Sequence, residues 1–264
     1  METVLAATFQ TPASSFPRVR LATPNMRWIV ADQAGSVVGC VYAICYGEIA
    51  YIGLMAVLPH AQRQGIGTAL LRHLLATLDA ENVRTVLLDA TPAGAELYER
   101  LGFCETDTLL VYANQHPEGP KRTPSAQAAL RLGVVPAELA RVDRQVWQCD
   151  RGEILNFFLR EAGRNAAVSL DPSGNVDGCI LVRGRVIGPW LAYTSRSAEV
   201  LLDWALTPVH VPARIYAPMK NPATVALLQS RGFTVVKQLA HMQRGAPSPV
   251  RRDLLFGQGT SGTG

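Results

Sequence analysis

The chain has 264 residues, 48% of them hydrophobic and 17% charged, with a formal net charge of +4. That length accommodates two domains of ordinary size, each able to bury its own core. The mild positive balance, with no basic run longer than Lys121-Arg122 or Arg251-Arg252, suits a polyanionic small ligand and speaks against nucleic acid.

Residues 1 to about 25 carry no readable period. The one apolar run there, Val4 to Ala7, follows Glu2 and is too short for a secretory signal. From Arg27 strands are expected over Arg27–Asp32, Val37–Cys45 and Tyr51–Leu58. The strip Ser36 to Gly47 is apolar and uncharged but too short to span a bilayer, so no membrane partner is expected. After Pro59 comes a polar loop, Gln62-Arg63-Gln64-Gly65-Ile66-Gly67. Apolar residues then recur at Ile66, Leu70, Leu74 and Leu78, with Leu71 and Leu75 beside them, which is helical spacing.

A strand passing through a glycine-bearing loop into a helix N-terminus is an anion site. The first helical amides lack internal partners, and the helix dipole adds positive potential. Gly65 and Gly67 carry no Cβ, so a phosphate can approach the backbone closely. These residues point to a bound diphosphate. No G-K-[ST] and no G-x-G-x-x-G occurs, so neither a P-loop nor a dinucleotide fingerprint is present.

Further on, Val86-Leu87-Leu88 predicts a short buried strand near Thr85–Leu88 that runs into Asp89. A helix from about Ala93 ends at Gly102, a common stop. A strand is expected over Thr106–Tyr112. Asn114 to Ser125, NQHPEGPKRTPS, lacks periodicity and reads as a linker.

Beyond it the order of elements recurs. A strand is expected over Ala128–Val134, helix through most of Glu138–Arg160, and strands at Ala166–Leu170 and Cys179–Arg183. Another strand starts at Val186-Ile187-Gly188-Pro189-Trp190, and a helix covers Ala198–Leu206. Leu227 to Phe233 then aligns without a gap with Leu97 to Phe103, and the same offset sets Asn221 opposite Thr91. From Gly257 on, the composition of Gly, Ser and Thr predicts disorder. The five cysteines, Cys40, Cys45, Cys104, Cys149 and Cys179, are odd in number and scattered without zinc spacing. They read as reduced thiols in a cytoplasmic protein, with no metal.

Gln62-x-x-Gly65-x-Gly67 after a strand ending in Val57-Leu58-Pro59 resembles the coenzyme A loop of the GNAT N-acetyltransferase superfamily. Leu97-Tyr98, followed by Gly102-Phe103, is similar to the superfamily's tyrosine motif, with Thr91 where many members carry Asn. Asp150-Arg151, Ile187-Gly188-Pro189-Trp190 and His241-Met242-Gln243-Arg244-Gly245 resemble pieces of the companion domain of bacterial tandem GNAT proteins. The resemblance implies an α/β fold class: two tandem GNAT-like folds, each a central mixed sheet flanked by helices. It divides the chain into a catalytic domain (1–114), a linker (115–126), a degenerate second domain (127–256) and the tail (257–264).

The implied reaction is acetyl transfer from acetyl-CoA to a primary amine, of a small molecule in the leading reading. A protein lysine or N-terminal acetyltransferase is the first alternative, and a non-catalytic acyl-CoA sensor the second. The resemblance implies a diphosphate held by amides across Arg63, Gln64, Gly65, Ile66, Gly67 and Thr68. The pantetheine arm would lie along Met55, Ala56 and Val57, near Thr91. It makes Tyr98 the general acid, a phenol of pKa about 10 close to a thiolate's. Glu48, Asp89 and Tyr51 are all open as general base. Superfamily members usually begin with a strand and two helices over the acceptor side, and this chain holds less before Met26. The second domain, or a partner subunit in a homodimer, would complete that side.

Overall fold

The computed structural model describes residues 25–114, 130–207 and 213–264. The sparse N-terminal stretch before Asn25 and the expected linker over 115–126 lie outside the described residues. The first part of the chain forms β1 (Met26–Gln33), β2 (Ser36–Tyr46), β3 (Ile49–Val57), a 3-10 turn (Pro59–Ala61), α1 (Ile66–Ala80), β4 (Thr85–Ala90) and α2 (Pro92–Glu99). Next come β5 (Cys104–Asn114), β6 (Leu130–Leu132), α3 (Pro136–Trp147), α4 (Gly152–Ala162), β7 (Ala166–Leu170), β8 (Val176–Arg183) and β9 (Val186–Ala192). The last stretch forms α5 (Ser195–Ala205), β10 (Ala213–Pro218), α6 (Pro222–Ser230), β11 (Thr234–Gly245) and β12 (Leu255–Gly257). The sheets are mixed and are flanked by six helices among the described residues. None of these helices is long and apolar enough to cross a membrane.

The chain divides into two compact units that do not follow the linear boundary expected at residue 114. The first takes the described residues up to Cys104, together with Met242–Ser248 and Thr263. The second takes Glu105–His241, Pro249–Gly262 and Gly264.

In the first unit β1, β2 and β3 form an antiparallel meander, with Met26 opposite Ile44 and Tyr46 opposite Ile49. Ala34 and Gly35 take positive φ, as a tight hairpin with right-handed strands requires. The chain then crosses through α1 to β4, parallel to β3. The stripe Leu70, Leu71, Leu74, Leu75 and Leu78 of α1 is buried, as its spacing dictates. The end of β11 completes this sheet beside β4. Ala246 donates to the Arg84 carbonyl at 2.8 Å, and Thr85 Oγ1 donates to the Ala246 carbonyl at 2.9 Å. A Cβ on Gly245 would stand 2.2 Å from the Arg84 oxygen, so only glycine allows the approach. Arg244 holds Asp79 through two bonds of 2.9 and 3.1 Å. The motif Gln243-Arg244-Gly245 is therefore a stitch onto β4 and α1.

In the second unit the strand order is β11-β5-β10-β9-β8-β7-β6, with β12 beside β9. The helix expected across Glu138–Arg160 is broken: Gln148 caps α3 at φ 56, and α4 begins at Gly152. At the break Arg151, fully buried over the Trp147 ring, makes a bidentate pair with buried Asp143 at 2.9 and 3.0 Å. Trp190, Leu201, Leu202, Ile215, Leu228 and Phe256 belong to the apolar core.

Residues 257–264 are packed, contrary to the disorder expected from their composition. Their small size is what admits the backbone. A Cβ on Gly259 would lie 2.4 Å from the Phe158 ring, and one on Gly264 would lie 2.1 Å from Trp147. Arg183, stacked over Phe158, donates to the Gly259 carbonyl.

Candidate active site

β3 and β4 part company in the middle of the first unit. Their parallel register runs from Ile49 opposite Thr85 to Ile52 opposite Leu88 and ends there. On the other side of β3, Val41 faces Met55 while Ala43 faces Ile52. β3 thus spends one residue more than β2, a bulge at Gly53-Leu54 that bends the strand away. Its cause is local: a Cβ on Gly53 would meet the Tyr42 ring at 2.0 Å. Tyr42 is held in turn by the core and by Trp28, ring centroids 4.7 Å apart. Past the bulge Gly53, Leu54 and Met55 are half-buried, whereas Ala56 and Val57 are buried. Ala56 packs beside Cys40, so it offers this opening only its backbone.

The loop after β3 is held by side chains of its own. Gln62 donates from Nε2 to the Val57 carbonyl at 2.9 Å, and Gln64 donates to the His60 carbonyl at 3.0 Å. Arg63 takes φ 61 and its side chain is exposed. Gly65, the N-cap of α1 at φ 80, has no side chain with which to cap. The helix's own bonding starts with Ala69 N to Gly65 O at 3.0 Å. The amides of Ile66, Gly67 and Thr68 therefore point out of the helix start with no intrahelical acceptor. A Cβ on Gly65 would meet nothing within 4 Å, while one on Gly67 would meet Met55 Cε at 2.7 Å. The first turn of α1 thus lies against β3, with open space before it.

Tyr98 sits on α2, its ring edge-on to Phe103 at 5.8 Å. Its hydroxyl donates to Met55 Sδ at 3.6 Å, which joins the tyrosine motif to the parted stretch of β3. Burial pushes the phenol up to about 12, so it keeps its proton across the physiological range. Thr91 is exposed at the N-cap of α2 and makes no capping bond there.

Two of the three carboxylate-or-phenol candidates come together. Tyr51 donates from its hydroxyl to Asp89 Oδ2 at 2.5 Å. Asp89 follows Leu88, the last residue in register, and so stands at the vertex where the strands part. Glu48 is at the other end of β3. It lies seven residues before Met55, roughly 20 Å along the strand. There its carboxylate is exposed and faces Arg84 at 3.7 Å. Burial also pushes the thiols of Cys40 and Cys149 up to about 11 and 12, so neither is a ready nucleophile. Gly53 and Tyr42, which open the sheet, are not among the residues expected from sequence. A lone glycine inside an apolar strand is the signal that marks such a bulge.

An uncapped helix start, an opened parallel edge and a protonated phenol beside it lie together, an arrangement with the chemistry to accommodate an extended anionic ligand and to donate a proton. An acetyltransferase (GNAT) domain family matches residues 24–105, and a second family of the same description matches residues 139–257. Together they cover well over half of the chain. Among curated proteins nothing matches. Among solved structures, a candidate acetyltransferase from Pyrococcus horikoshii is similar over 100% of this chain and 91% of its own, at 24% identity and TM-score 0.85. A GCN5-related N-acetyltransferase from Anabaena variabilis is similar over 92% of this chain and 69% of its own, at 17% identity and TM-score 0.64. A tandem GNAT protein from the clavulanic acid biosynthesis pathway is similar over 88% of this chain and 87% of its own, at 17% identity and TM-score 0.58. At these identities the structures speak for the fold.

Proposed function

We propose that this chain, which belongs to the GNAT acetyltransferase family and is an acyltransferase, transfers acetyl from acetyl-CoA to the primary amine of a small molecule, with the first unit as its catalytic part. The observation that carries the reading is the meeting of Tyr98 with Met55 at the parted edge of β3, next to the uncapped start of α1.

The residues present fit acetyl-CoA. When bound, it supplies a thioester carbonyl that a neutral amine can attack. The amides of Ile66, Gly67 and Thr68, with Gly65 leaving space before them, hold the diphosphate. Arg63, exposed in the same loop, adds positive charge. The backbone of Met55, Ala56 and Val57 would hold the pantetheine arm, and Thr91 would contribute a hydroxyl at the end of β4. Tyr98 holds a proton on its hydroxyl and gives it to the departing sulfur. The burial that raises the phenol raises a thiolate expelled beside it as well, which keeps the two matched. Asp89, with Tyr51 bonded to it, takes the amine's proton; Glu48 is too far along β3 for that part. The five cysteines, odd in number and scattered along the chain, go with a reducing, cytoplasmic setting.

The test is thiol release from acetyl-CoA across a panel of small primary amines, lysine peptides and peptide N-termini. Turnover with a small amine that outpaces the peptides supports the reading. Preference for a peptide would move the acceptor to protein, and tight binding without any turnover would make the chain a binding module.

A further inference from the structure

The second unit contains the same parted pair of strands, β9 and β10, and here the gap is filled. β9 and β10 pair in parallel only at Val186 and Arg214. Residues 255–258 then enter between them. Leu255 pairs with Leu191 and Gly257 with Trp190, antiparallel to β9. On the other flank Gln258 donates to the Tyr216 carbonyl of β10 at 2.8 Å and bridges to that residue. The segment runs from the α5 end of β9 down into the vertex. This is the route that, in the first unit, leads from the loop before α1 along Val57 to Gly53.

Three further features fit the segment to the gap. Phe256 lies against Trp190, ring centroids 5.2 Å apart, and Leu255 and Gln258 are fully buried. A Cβ on Gly188 would stand 2.3 Å from the Gln258 oxygen, so the glycine of Ile187-Gly188-Pro189-Trp190 is a seat for this strand. Asn221, opposite Thr91 in the internal repeat, donates from Nδ2 to the carbonyls of Asp253 and Leu255 at 3.0 and 3.1 Å. The helix start is also taken. Thr194 caps α5 by accepting from Ser197 N at 3.1 Å, and the Ser197 hydroxyl donates to the Asp177 carboxylate. α1 has no such cap, and the carboxylate bonded to Ser197 in the first turn of α5 adds negative charge that disfavours an anion there.

We infer that the β9/β10 gap of the second unit is a strand-accepting groove whose ligand is the chain's own segment 255–258, an internal peptide in the place of an acyl-carrier arm. Its main chain supplies β-type hydrogen bonds, its Phe256 fills the core, and Asn221 clamps its carbonyls. The chain consequently has one acyl-CoA site, in the first unit; that clause rests on the proposed function, whereas the self-filled groove does not.

Hydrogen exchange on the full chain tests the groove, and calorimetry with coenzyme A tests its consequence. The amides of 255–258 are expected to exchange as slowly as those of β8 and β9, and coenzyme A to bind one per chain. Asn221→Asp keeps an acceptor for the α6 cap, since Asn221 Oδ1 receives Thr224 N, but removes the clamp's donor. It should speed exchange of 255–258 by roughly tenfold, leaving α1 and coenzyme A affinity unchanged. Exchange of 255–258 at the rate of an unstructured peptide overturns the inference. So does a second coenzyme A site that survives Gly65→Glu. If no coenzyme A binds at all, the proposed function fails, and the exchange data still decide the groove.

Discussion

The Tyr98 hydroxyl donates to the Met55 thioether sulfur at 3.6 Å. In the proposed reaction this phenol meets a second sulfur, that of the departing thiol, at the open edge of β3. Tyr98→Phe deletes one oxygen and little packing. It is expected to leave acetyl-CoA affinity within twofold of the native value, roughly, and to lower kcat by about 10²- to 10⁴-fold. Steady-state kinetics with a saturating amine, beside calorimetry on the variant, measure both. An unchanged kcat would assign the proton to water or another group.

The same phenol sets an alkaline limit on stability. Its folded pKa is raised from 10.0 to about 12 by burial. Its contribution is therefore complete below pH 10, and is lost as pH rises from 10 through about 12, where the unfolded chain ionises first. The slope tends to about 1.4 kcal/mol per pH unit inside that window. Urea unfolding between pH 8 and 11 should show a steeper fall in the native chain than in Tyr98→Phe, which keeps the buried thiols of Cys40 and Cys149; parallel curves would mean the phenol is solvated.

Gly53→Ala should close the opening. The added methyl meets the Tyr42 ring at 2.0 Å, and the strand must shift to admit it. Such overpacking costs about 1–3 kcal/mol. Because the strain falls on the bulge, acetyl-CoA affinity should fall with stability, and Tyr42→Leu in the same chain should recover part of both. Denaturation midpoints and calorimetry on the single and double variants check this.

The vertex and the far end of β3 make a matched pair of tests. Asp89→Asn removes the carboxylate bonded to Tyr51 and is expected to lower kcat/KM by about 10²-fold. Glu48→Gln, at an exposed turn, is expected to change it by less than about twofold. Equal losses would mean that neither carboxylate acts as proposed.

The clasp between Arg244 and Asp79 should be weak. Their side chains are 30% and 50% exposed, so solvent screens the pair, and Arg244→Ala should lose less than about 1 kcal/mol. Arg244, chiefly by its hydrogen bonds, holds the Asp79 carboxyl below its ordinary value of 3.8. That contribution is present above pH 4, roughly, and fades as pH falls through the depressed value. The gap between native and Arg244→Ala midpoints should therefore narrow in acid, and a constant gap would assign the loss to packing.

What the sequence reveals of this site is what lies close together along the chain. The loop Gln62 to Thr68 and the helix bearing Tyr98 are legible, because glycine placement and apolar spacing act within a few residues. The expected strands agree with the structure from β1 to β5 within a few residues for the same reason. Gly53 escapes because its meaning depends on Tyr42, on another strand. Glu48, open as a base beside Asp89 and Tyr51, precedes β3, and the direction of that strand sets it at the end away from Met55. β12 is three residues long, beside glycines, and its partners on β9 lie more than 60 residues earlier. Its small residues look like disorder until the large rings they rest on, Phe158 and Trp147, are seen.

The stitch of Ala246 onto Arg84 and Thr85 has a consequence for biosynthesis. The partner that covers the outer edge of β4 is 161 residues further along the chain. At about 5–20 residues per second, a ribosome needs roughly 8–30 seconds to deliver it. During that interval β4 presents an unpaired edge, and the sheet of the first unit closes only when residues 242–248 have been made.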